Sequence, residues 1–222
     1  MMRPDQLIDN LVADLQPVRR APSPARALAI WLAVTVPSLA LLILLMGLRP
    51  TLPLRPEFLL DQALALSTAV IAAYGAVCAG RPDQPTWKLA LPVMMMMLWF
   101  TVMVGQCALM TIGGKPGVLA LHIDFACVPA MALAGFVPSI TMVLLLRLSP
   151  IFRTTHACLC GALAATAAAE FALRLFHAEG SFLTLLVWQM GSVILLTISG
   201  SLIGKWVLAH LPGGMRSRPI PT

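Results

Sequence analysis

Six apolar runs, each about as long as a bilayer is thick, dominate this 222-residue chain. A helix needs about 20 apolar residues to cross the hydrocarbon layer, because it rises only ~1.5 Å per residue through ~30 Å. Runs of that length occur at approximately 27–48, 57–79, 88–110, 125–146, 156–176 and 183–208. Between them the loops are too short to bury a core of their own. Apolar residues make up 59% of the chain and charged ones 11%, so a water-soluble fold would have no polar surface to cover its interior. The fold class expected is all-α: a six-helix transmembrane bundle over 26–209, a short amphipathic N-terminal tail over 1–25 and a C-terminal tail over 210–222. The first run starts too far into the chain, and behind too charged a segment, to read as a plain signal peptide.

Charge placement orients the bundle. Of the 15 Lys and Arg, eleven fall on the side shared by the termini: Arg3, Arg19, Arg20, Arg26, Arg81, Lys88, Arg147, Arg153, Lys205, Arg216 and Arg218. Arg49, Arg55, Lys115 and Arg174 fall on the other. The positive-inside rule then places both termini in the cytoplasm and the loops near 49–56, 111–124 and 177–182 outside. The formal charge of +6 is thus a topology signal at span ends, and no direct contact with nucleic acid is expected.

Small residues at four-residue spacing let helices approach closely in lipid. Gly161, Ala165 and Ala169 form such a ladder in the fifth span, and Gly200 and Gly204 in the sixth. The N-terminal stretch DQLIDNLVADL has a different pattern. Leu7, Leu11 and Leu15 recur every four residues beside Ile8 and Val12, with Asp5, Asp9 and Asp14 opposite, which predicts about three turns of amphipathic helix. An acidic polar face is disfavoured at an anionic inner leaflet, so a protein groove or the bundle's own inner face suits it better. A Pro-punctuated connector carrying Arg19 and Arg20 leads from it into the first span.

This tail, continuing as QPVRRAPSPARALAIWLA, resembles the N-terminus of the NrsF-type membrane anti-sigma factors. The similarity extends more loosely to Cys127 at the start of span four and to Trp188 with Gly200-x-x-x-Gly204 in the last span. The resemblance implies that the tail, through Leu7, Ile8, Leu11, Leu15, Arg19 and Arg20, holds an extracytoplasmic-function (ECF) sigma factor idle at the bacterial inner membrane. It also implies release by an outer-side stress signal, redox or heavy metal. Where such proteins carry a second outer cysteine in a His-Cys-Pro-Glu-like turn, this chain reads His177, Ala178, Glu179.

Five cysteines divide by side. Cys78, Cys158 and Cys160 belong to inner span ends, whereas Cys107 and Cys127 flank the outer loop 111–124, where an oxidising compartment lets thiols report oxidation. Cys107, Cys127 and His177 are the sensor candidates. A metal ion at the outer side would draw on Cys127, His122 and His177, with Asp124 near, although no ligand spacing there is diagnostic and no cofactor is otherwise expected. Spans three and four, joined by the outer loop, are expected to be neighbours. His156 and Cys160 resemble only half a metal site.

Glu170 stands out as an acidic residue inside a span, and Arg174 four residues later is its expected partner on the same helix. No Gly-rich phosphate loop with Lys, no Gly-x-Ser-x-Gly and no His-Glu-x-x-His occurs, so no enzyme is expected. The alternative with the same architecture is a small six-helix transporter or channel, which would need several polar groups converging within the spans.

Overall fold

Ser23 and Pro24 start the first long helix. The Ser23 hydroxyl accepts a hydrogen bond from the Arg26 amide at 3.3 Å, and Pro24 occupies a position where its missing N–H costs nothing. The computed structural model describes Gln6, Val12, Ala13 and residues 22–49, 55–81, 84–85, 87–114, 117–122, 125–148, 153–177 and 181–210. Six helices in it are long and apolar enough to cross a membrane. They are α1 (Pro24–Met46), α2 (Pro56–Ala79), α3 (Trp87–Ile112), α4 (Cys127–Arg147), α5 (Thr154–Phe176) and α6 (Phe182–His210). Their ends lie within a few residues of the runs expected from hydropathy. No strand occurs among the described residues.

Local chemistry sets the boundaries. Gly47 ends α1 at φ +82°, a conformation that favours glycine, and its amide bonds back to the Ile43 carbonyl at 2.9 Å. Pro56 opens α2 at its first turn with Glu57 beside it, where an acid complements the helix dipole. Ser181 caps α6 by accepting from the Thr184 amide at 3.2 Å.

α5 is the centre of the bundle, packed against α2, α4 and α6 and touching α1. Its sequence makes that possible, because Ala157, Ala164, Ala165, Ala167, Ala169 and Ala172 are wholly buried and leave room for neighbouring backbones. The small-residue ladder behaves as expected. Gly161 faces Met142 of α4 and Ala76 of α2, Gly135 of α4 sits against Ala165 and Ala169, and Gly200 and Gly204 of α6 face Ala162 and Cys158. Thr166 and Thr197 share a hydrogen bond at 2.9 Å along the same α5–α6 seam.

α3 and α4 do not share a packing interface, contrary to the expectation from their short connection. α3 lies on α2, whereas α4 lies on α5 and α1. The connecting loop reaches across the bundle end instead. There the Leu183 amide donates to Val118 at 3.1 Å, the Ser181 and Thr184 hydroxyls donate to the Ala120 carbonyl, and the His122 amide donates to Thr184 Oγ1 at 3.0 Å. A loop pinned to the start of α6 lets the two helices it joins diverge. Just beyond the pin, Leu185–Gln189 form a π-helical turn, a feature that periodicity alone does not reveal.

Gly75 is the tightest contact between α2 and α3: a Cβ there would stand 2.7 Å from Pro92 Cγ, a ring atom with little freedom to yield. Gly75→Ala is therefore expected to destabilise the detergent-solubilised protein by roughly 1–3 kcal/mol, as overpacking does. Gly191→Ala, with nothing within 4 Å of the added carbon, is the control that leaves the thermal unfolding midpoint in place.

Candidate functional site

Charged side chains within apolar helices are costly unless neighbours satisfy them, so they mark where a bundle does something besides fill space. Here they gather between α2, α3 and α5. Asp61 lies five residues into α2, about 8 Å along its axis, and Arg174 lies near the end of α5 at the same end of the bundle. The two form an ion pair between Arg174 Nη1 and Asp61 Oδ2, with both side chains almost wholly buried. The Trp99 indole N–H of α3 donates to Asp61 Oδ1 at 2.6 Å, and Trp99 has no exposed surface. The Arg174 guanidinium also stands 5.5 Å from the Phe58 ring centroid, a cation–π contact one turn before Asp61. Glu170, one turn before Arg174, is fully buried as well.

Sequence reasoning paired Arg174 with Glu170 on its own helix. The structure gives the cation an interhelical carboxylate, Asp61, more than a hundred residues away. Asp61 was missed because it sits near the start of a span, where an acid usually reaches water. Its legible signal was an Arg at matching depth in another span. Gln62, Thr68 and Gln189 are also buried, so the membrane-depth interior is more polar than hydropathy indicated. The Asp61 carboxylate is engaged by both Trp99 and Arg174, so the cluster joins α2, α3 and α5 at one point.

The opposite end of the bundle, where α1 starts, has its own ties. The Arg81 guanidinium, just past α2, donates to the Pro22 carbonyl at the root of the tail. The Arg153 amide at the head of α5 donates to the Ala79 carbonyl at 3.2 Å. Lys88 bonds Gln84 Oε1 at 2.7 Å and lies 5.8 Å from the Tyr74 and Trp87 ring centroids.

The partner-binding candidates Leu7, Ile8, Leu11, Leu15, Arg19 and Arg20 lie outside the described residues, as does Asp124. Within the same segment Gln6, Val12 and Ala13 are helical and exposed. Of the sensor candidates, Cys107 is buried on α3, Cys127 is buried at the first turn of α4, and His177 closes α5 half-buried, its amide on the Leu173 carbonyl at 2.8 Å. No disulfide joins any of the five cysteines. Among the described residues no three His, Cys, Asp or Glu side chains stand close enough to hold a metal ion, so Cys127, His122 and His177 are not brought together as a ligand set. Cys127 is turned into helix packing, while His122 is exposed on the pinned loop. Phe125 and Trp188 meet edge to face at 5.5 Å, linking the approach to Cys127 with the π-helical turn.

Removing one partner of a buried ion pair leaves an uncompensated charge, at a cost of about 3–5 kcal/mol. Arg174→Met is expected to destabilise the solubilised protein on that scale, and Asp61→Leu combined with Arg174→Met to recover part of the loss. Thermal unfolding of the two single variants and the double variant measures this coupling.

A family model described as "Negative regulator of sigma F" matches residues 11–210, the second half of the amphipathic tail and all six long helices. No curated protein and no solved structure gives a match.

Proposed function

Because the chain belongs to the NrsF family of negative regulators of a sigma factor, we propose that it holds an ECF-type sigma factor at the bacterial inner membrane through residues 1–25 and lets it go on an outer-side stress. The observation that carries this reading is the family match itself, which spans 200 residues of continuous chain from the tail through the last helix. A regulator family is not an enzyme class, and the mechanism proposed is sequestration without catalysis.

The physics of the tail supports that role. A helix with Leu7, Ile8, Leu11 and Leu15 on one face and Asp5, Asp9 and Asp14 on the other has an apolar stripe to offer a groove. Its root is anchored, since Arg81 grips the Pro22 carbonyl and Ser23 caps α1 directly after it. Anchoring fixes the exit point of the segment and so raises its effective concentration near the membrane. With eleven of 15 basic residues on that side, the tail faces the cytoplasm, where a sigma factor is found.

Oxidation or a soft metal ion is the signal proposed, read at Cys107, Cys127 and His177. Helices α3 and α4 pack on different neighbours. Cys107→Ser and Cys127→Ser should accordingly change induction by thiol oxidants or cadmium separately and additively, and a double variant no stronger than either single one would show a shared unit instead.

The central test is competition. A peptide of residues 1–25 should displace the sigma factor from the full-length protein in membranes, and the same peptide with Leu11→Asp should not, because a charge in an apolar groove is unpaired. A protein lacking residues 1–20 that still retains the sigma factor at the membrane would overturn the proposal.

A further inference from the structure

α3 is the loosely held member of the bundle. It packs on α2, its Met94, Met97, Leu98, Val104 and Leu109 side chains are exposed, and most of its length faces outward. Among the described residues one hydrogen bond runs from α3 to another helix, from the Trp99 indole to Asp61. That bond sits at the helix midpoint between two buried side chains, and its acceptor is held in turn by Arg174 of the central helix. A single charge-assisted bond of this kind is strong while made and abruptly lost when broken. It has the character of a latch.

The other end of α3 leads to the tail. Its first residue, Trp87, follows the short turn that carries Arg81, and Arg81 is the residue that grips the Pro22 carbonyl at the tail root. A displacement of α3 along or away from α2 therefore pulls on the turn that positions the tail. We propose that the Trp99–Asp61–Arg174 chain is a latch that keeps α3 on α2, and that α3 is the helix whose release frees the root of the tail. That this motion discharges a sigma factor rests on the reading above; the motion itself does not, and its test uses no sigma factor.

The reporters are already in the chain. Cys107 is buried on α3, whereas Cys158 is buried on α5 against Gly204 of α6, away from α3. Full-length protein in native membranes is treated with N-ethylmaleimide and the modified cysteines are identified by mass spectrometry. In parallel, inverted vesicles are exposed to trypsin and cleavage after Arg20, two residues before Pro22, is followed with time. Trp99→Phe keeps an aromatic ring in place and removes the N–H; Trp99→Leu removes the N–H with an aliphatic filler, and serves if the first variant does not accumulate. Trp206→Phe, at an exposed position on α6, is the control.

Either latch variant should raise the alkylation rate of Cys107 by roughly tenfold or more, the equilibrium equivalent of a lost bond to a charged group. Cys158 should stay protected, and cleavage after Arg20 should quicken. Three results would overturn the proposal. One is unchanged labelling of Cys107; another is labelling of Cys158 in step with it, which marks general loosening. The third is exposure of Cys107 with tryptic cleavage unaltered, which separates α3 from the tail.

Discussion

The Asp61–Arg174 ion pair is the constraint around which the helices of this bundle are arranged. Two opposite charges inside apolar helices cannot be left to water, and their attraction outweighs the desolvation cost only where geometry is close and the remaining polar atoms are engaged. Trp99 and the Phe58 ring contribute to that closure, so three helices are committed to one point. Lipid offers no comparable reason for helices to associate, since hydrocarbon chains are as apolar as Leu. Specific association must therefore come from polar ties and from close fit.

Close fit is supplied by small residues. α5 can occupy the centre because alanine at position after position lets α2, α4 and α6 come near, and Gly161, Gly135, Gly200 and Gly204 occupy the nearest approaches. Polar tie and close fit reinforce each other along α2 and α5. Where Gly75 admits the Pro92 ring, α3 is brought close enough for Trp99 to reach Asp61. α3 has little else to hold it, and this asymmetry separates a rigid α2–α5 core from a peripheral helix.

The two bundle ends are organised differently. At one, the loop following α3 is pinned to the cap of α6 by Ser181 and Thr184, with Phe125 against Trp188 and a π-helical turn immediately after. At the other, Arg81 and Arg153 tie the tail root and the head of α5 to the end of α2. The second arrangement fixes Pro22, just before the start of α1, to the turn that ends α2. α2 runs between the ends, with Asp61 near one and Arg81 just beyond the other.

Span number, span limits and helical class were legible from residues alone, because they depend on quantities that add up along the chain: apolar length, caps such as Ser23 and Gly47, and the need of every backbone group in hydrocarbon for an internal partner. The amphipathic pattern of the tail and the Gly and Ala ladders were equally visible, each being a matter of helical period. What the sequence could not reveal was which faces meet. Arg174 has Glu170 at an attractive local spacing, but nothing local indicates that it also forms an ion pair with Asp61 of another helix, or that α3 and α4 diverge although one loop joins them. Partner choice of that kind is settled by long-range fit, since it depends on how the alanine faces of α2 and α5 let two distant charges reach the same depth. Only the tertiary structure brings Trp99, Asp61 and Arg174 together, because no local term in the sequence relates their positions.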